Sequence, residues 1–82
     1  TLRRRTSSVT NFEIIETLAV LSKRDRAGFQ KELNVISWGG RKPKYDIRGW
    51  SEDHQKMTKG ITLTEDELIK IAQTRLEKLG GK

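Results

Sequence analysis

The chain has 82 residues, with 17 Lys and Arg against 11 Asp and Glu for a formal charge of +6; that length gives one domain with a small core, so association with a second copy is an expected source of stability. It holds no cysteine and one histidine, which excludes disulfides and thiolate metal centres and leaves too few imidazoles for a histidine metal site. No apolar run approaches the roughly 20 residues needed to cross a bilayer, so a soluble intracellular protein is expected, and the positive balance favours polyanionic partners.

The charge is unevenly placed. Residues 1–48 hold 11 bases and 5 acids, a net of +6, whereas residues 49–82 hold 6 of each. A basic strand-forming half followed by a neutral helix-forming half suggests a polyanion-binding sheet backed by a helix.

Residues 1–10, TLRRRTSSVT, carry Arg3, Arg4 and Arg5 beside a Ser/Thr cluster without apolar periodicity, and read as a flexible basic arm ahead of a single domain over 11–82. Residues 12–22, FEIIETLAVLS, are rich in β-branched residues on both parities and predict a long, substantially buried strand, with a helix as the competing reading. The polar KRDRAG at 23–28 is the loop of a hairpin. In 29–38, FQKELNVISW, the apolar phase runs through Phe29, Leu33 and Val35 and then slips to Ile36 and Trp38, which predicts a β-bulge near 34–36. The GGRKP at 39–43 is a hairpin loop.

The stretch KYDIRGW at 44–50 alternates, with Tyr45 and Ile47 on one side and Lys44, Asp46, Arg48 and Trp50 on the other. That second row sets an indole beside cations, the combination that stacks on an unpaired base and neutralises its phosphate. Trp50 is therefore expected at the surface. Trp38 shares parity with Ile36, which leaves a core position open to it. Residues 51–59 lack apolar periodicity and predict a loop of about nine residues. A short edge strand follows at 60–63, with Ile61 and Leu63 inward and Thr62 outward.

Thr64 and Glu67 have the spacing of a capping box, so a helix starts there. Leu68, Ile69, Ile71, Ala72, Leu76 and Leu79 span an arc of about 160°, and Gly80 with Gly81 supplies the stop. One small sheet cannot cover so broad a stripe, which leaves part of it for a second subunit.

Catalytic constellations are sparse. His54 lies in an acidic loop with Glu52 and Asp53 and is expected to be an exposed structural residue. Ser37 and Ser51 have no base nearby in sequence, and Glu65, Asp66 and Glu67 suit a helix N-terminus. No phosphate-binding glycine loop or dinucleotide fingerprint occurs. The chain therefore reads as a binding protein with no catalytic residues, cofactor or metal. What remains is bases interleaved with aromatic residues: Lys31, Trp38, Arg41, Lys42, Lys44, Arg48, Trp50 and Lys59.

The segment YDIRGW, a polar loop and then KGITLTEDEL resembles the DNA-binding domain of the transcriptional coactivator positive cofactor four family, and more closely its bacterial YdbC-like branch, whose pattern SW, PKYDIR, W, S, DH, KM, KGITL is nearly repeated. The similarity runs from residue 12 to about 79 and is strongest over 37–68. It implies an α+β fold, a curved four-stranded antiparallel sheet followed by one C-terminal helix (ββββα). It also implies a homodimer through the helix and last strand, with single-stranded DNA bound across the sheets. Carried over by position, Arg48, Trp50 and Lys59 match family positions that contact DNA, Trp38 matches an aromatic stacking position, and Lys31, Lys42 and Lys44 belong to the same basic face.

The expected function is single-stranded DNA binding with little sequence specificity, in transcription regulation or DNA replication and repair, in a bacterial cytoplasm or nucleoid. RNA competes as the ligand, because stacking does not sense a 2′-hydroxyl. An adaptor whose basic face meets an acidic protein is the alternative from another class, and a hydrolase using His54 ranks last.

Overall fold

Four antiparallel strands in the order β1-β2-β3-β4 make one sheet, and a single helix follows. They are β1 (Phe12–Val20), β2 (Gln30–Trp38), β3 (Lys44–Trp50), β4 (Met57–Leu63) and α1 (Glu65–Gly80). This structure, a computed structural model, describes residues 11–80; the expected flexible arm at 1–10 and the Gly81 stop lie outside the described residues.

Each turn has a local cause. Gly39 and Gly40 both take positive φ, 60° and 75°, conformations that cost L-residues energy, and the Arg41 N–H closes the turn on the Trp38 carbonyl at 3.0 Å. Between β1 and β2, the Asp25 carboxylate accepts from the Phe29 N–H at 2.9 Å, and Gly28 turns at φ 93°. The capping box forms as the sequence implies: the Thr64 N–H donates to Glu67 Oε1 at 2.8 Å and the Glu67 N–H to Thr64 Oγ1 at 3.2 Å.

The bulge sits on a different strand from the expected one. β2 pairs with β3 without interruption from Gln30↔Trp50 to Ile36↔Lys44. The register breaks instead between β1 and β2, where Ile15 and Leu18 are extra residues on β1. The apolar phase change in β2 has another origin, because both faces of the sheet take up apolar residues. β1 is indeed a strand, but Ile15, Leu18 and Val20 are exposed, so its apolar residues on both parities reflect two bulges and not deep burial. A third irregularity, between Arg48↔Gly60 and Trp50↔Met57, lengthens β4. That strand begins at Met57, three residues before the expected start, and the preceding loop is correspondingly shorter, because the ladder resumes at Trp50↔Met57 beyond the bulge.

Alternation along β2 and β3 separates two faces. One carries Asn34, Ile36, Asp46 and Trp50, all essentially inaccessible to solvent; it is called the Asp46 face. The other carries the cross-strand rows Leu33, Ile47, Ile61 and Val35, Tyr45, Leu63; it is called the Ile47 face. Among the described elements, the helix contacts only β3 and β4. Ile61, Ile69, Ile71 and Leu76 stay exposed, so much apolar surface is uncovered in the single chain.

The sheet is strongly curled toward the Asp46 face. Continuing the β2–β3 register puts Trp38 opposite residue 42, about 20 Å along the strand from Arg48 at the usual rise. Yet the Arg48 guanidinium carbon lies 4.8 Å from the centroid of the Trp38 ring, and Phe12, paired with Trp38, reaches the Trp50 ring at 5.3 Å. Two side chains alone do not bridge that gap, so the strand ends must bend over, as bulged strands do.

Candidate nucleic-acid interface

Arg48 is the most constrained side chain on the curled face. Its Nε and Nη2 donate to Asp46 Oδ1 and Oδ2 at 2.7 and 2.8 Å, a bidentate ion pair. Thr62, directly across from Asp46 on β4, donates its hydroxyl to Oδ2 at 3.0 Å. Arg48 Nη1 meets Met57 Sδ at 3.4 Å. The guanidinium thus lies over the Trp38 indole, a cation–π arrangement, and Trp38 is itself flanked by Phe12 at 5.8 Å. An aromatic ring and a fixed cation occur together here: Arg48, which the alternation in β3 and the resemblance both singled out, and Trp38, which the resemblance alone marked for stacking.

Trp50 lies elsewhere than expected. Its parity is as read, on the Asp46 face, but the curl places Phe12 against its ring at 5.3 Å and His54 at 5.6 Å. It is 0% exposed. No base reaches it in this conformation, so Trp50 is core and the expectation of an accessible ring is corrected. Trp38, by contrast, keeps part of its surface exposed.

The lysines divide. Lys44 pairs with Ile36 on the Asp46 face and is exposed. Lys42 is exposed in the β2–β3 loop, and Lys59 is exposed in the bulged part of β4, next to the Gly60 that opposes Arg48. Lys31 opposes Gly49, which puts it on the Ile47 side with Leu33 and Val35, separate from the others; the expectation of one shared basic face fails for this residue because β2 alternates.

Several supporting residues were not singled out from the sequence. Glu32, buried, accepts from Asn34 Nδ2 at 3.1 Å and from His54, whose Nε2 lies 3.0 Å from both carboxylate oxygens. His54 is half-buried with φ 60°, so it is a positioned loop residue and not the exposed one expected. Arg24 also turns inward: Nη1 donates to the Gly28 and Trp50 carbonyls at 2.8 and 2.9 Å, pinning the first loop to the end of β3. Glu32 shares parity with Asn34 and Ile36, a signal that could have placed it on the buried face; nothing in the sequence marks Arg24 apart from its neighbours Lys23 and Arg26.

Two comparisons with known proteins bear on the family of the chain. The family model described as Transcriptional Coactivator p15 (PC4) matches residues 26–73, from the first loop through β2, β3 and β4 into the helix. An uncharacterized protein of Treponema pallidum (strain Nichols) is 40% identical over 74 residues, covering 85% of this chain and 86% of the relative. With the family model matched over more than half its length, and four antiparallel strands leading into one helix, the chain belongs to the transcriptional coactivator p15 (PC4) family.

Proposed function

We propose that the protein binds single-stranded DNA with little sequence specificity through the rim of the Asp46 face, in transcription regulation or DNA replication and repair. The observation that carries this reading is the Arg48 guanidinium held over the partly exposed Trp38 ring at 4.8 Å, within a chain of this family. Trp38 offers a stacking surface that accepts any base, and Arg48, Lys42, Lys44 and Lys59 neutralise phosphates. The family, known for single-stranded DNA binding and coactivation, supports the choice of ligand.

The working form is a homodimer. Ile61 on β4 and Ile69, Ile71 and Leu76 on α1 are exposed apolar residues, and a second copy supplies the cover that the small sheet does not. Anisotropy of labelled oligonucleotides, single-stranded, duplex and RNA, across a salt series tests the function. Each neutralised phosphate contributes about 0.7 to the slope of log affinity against log salt for a single strand, so four cations give a slope near −3 per protomer. Equal affinity for single strand and duplex, or no loss on Trp38→Ala, refutes the proposal. Tighter binding of RNA than DNA reassigns the ligand.

A further inference from the structure

The Asp46 carboxylate is 0% exposed on a face proposed to meet a polyanion, where simple electrostatics would disfavour an acid. Three features converge on the side chain beside it. Both Asp46 oxygens take the Arg48 fork. The Thr62 hydroxyl fixes one of those oxygens. Gly60, opposite Arg48 on β4, leaves the space that the arginine fills: a Cβ added there would overlap the Arg48 Cβ and the Ile47 carbonyl, and would lie 3.0 Å from Arg48 Nε.

We infer that Asp46, with Thr62 and Gly60, is a positioning set that holds the Arg48 guanidinium over Trp38 and turned toward nucleic acid. An unrestrained arginine samples many rotamers, and fixing one beforehand removes that entropic cost from binding. Of the five guanidinium N–H groups, Asp46 takes two and Met57 Sδ one. One hydrogen on each terminal nitrogen has no protein partner among the described residues, and these are the donors left for a phosphate oxygen or a base edge. Asp46 therefore raises affinity for an anion although it is itself an anion.

This inference rests on the proposed function, and the sign of one substitution separates the two. Asp46→Asn removes a negative charge. Acting only as a charge, Asp46 is repulsive, and its loss tightens binding. Acting as a positioner, its loss weakens single-strand affinity on the order of tenfold, the share of one oriented charged contact, and flattens the salt slope by about 0.7.

The experiment is anisotropy of a fluorescein-labelled oligothymidine with the full chain as wild type, Asp46→Asn, Arg48→Ala, Arg48→Lys and the Asp46→Asn/Arg48→Ala double variant, with circular dichroism confirming the fold of each. Asp46→Asn is expected to weaken binding in the wild-type background and to tighten it once Arg48 is alanine. Arg48→Lys, which keeps the charge and loses the fork, is expected to bind weakly. If Asp46→Asn does not fold, Thr62→Val, which leaves every charge in place, carries the test: it is expected to weaken binding about threefold, the smaller share of one hydrogen bond that reaches Arg48 only through Asp46, and to have no effect beside Arg48→Ala. Tighter binding by Asp46→Asn, an equal loss with and without Arg48, or wild-type affinity in Arg48→Lys or Thr62→Val overturns the positioning role and leaves the proposed function standing. A wild type that does not prefer single strands overturns both.

Discussion

Trp50→Ala is expected to unfold the domain more than it disarms the surface. The ring is 0% exposed and packs against Phe12 at 5.3 Å and His54 at 5.6 Å, and truncating a fully buried tryptophan costs about 3 to 5 kcal/mol. A domain of this size has on the order of 4 to 12 kcal/mol in all, so the variant loses about a quarter or more of its stability. Its melting temperature falls by roughly 12 to 40 °C, at 4 to 8 °C per kcal/mol. The buried Trp50 Nε1 has no protein partner among the described residues, and leaving a donor unpaired costs about 1 to 3 kcal/mol. Trp50→Phe removes that donor along with part of the ring, so the two effects offset and the variant stays within about 1.5 kcal/mol of wild type. Urea denaturation followed by far-ultraviolet circular dichroism, at one fixed protein concentration because association shifts the midpoint, measures all three proteins. A Trp50→Ala chain as stable as wild type, or a Trp50→Phe chain as damaged as Trp50→Ala, would show that the ring is not core.

Trp38→Ala is the opposite case: single-strand affinity is expected to fall by about 1 to 3 kcal/mol, one stacked base, with a smaller stability loss than Trp50→Ala; matched oligonucleotide titrations and urea curves separate the two. Thr64→Ala removes half of the capping box and should destabilise the protein by about 0.5 to 2 kcal/mol, read as a lower urea midpoint with unchanged slope. The Asp53 carboxyl is held below its ordinary value of 3.8 chiefly by the Gln55 N–H and then by the Ser51 hydroxyl. Its stabilising contribution is therefore present above pH 3.8 and disappears as pH falls through the lower folded value; melting curves of Asp53→Asn should show a shallower acid-side decline than wild type.

The elements that local chemistry dictates were legible before the fold was known. Thr64 and Glu67 announce a helix start whatever packs on it, Gly39 and Gly40 permit a turn that other residues resist, and the alternation of KYDIRGW assigns each side chain to a face. Curvature is a different kind of property. Parity placed Trp50 beside Arg48, but whether that face is open or folded over depends on the ladder between β1 and β2, which no single strand encodes. The bulges illustrate the same limit: a phase change written in β2 suggested an insertion there, whereas Ile15 and Leu18 of the neighbouring strand are the extra residues. Lys31 was grouped by charge, and register moved it to the other side. Glu32 and His54, 22 residues apart, meet only after the sheet has closed.

The extra residues in β1 also bear on the fate of the chain in a crowded solution. β1 is an outermost strand with Ile15, Leu18, Val20 and neighbouring Leu21 all exposed, and a straight strand of that composition would be a template for open-ended stacking of copies. Two bulges within nine residues break the even spacing of backbone donors and acceptors that such stacking needs. The same irregularity that bends Phe12 over Trp50 thereby guards the margin of the sheet against fibre growth. Deleting Ile15 would make the ladder continuous there with the Phe12↔Trp38 and Ile14↔Ile36 pairs kept, straightening the strand end, drawing Phe12 away from Trp50 and exposing a smoother, stickier border in one step.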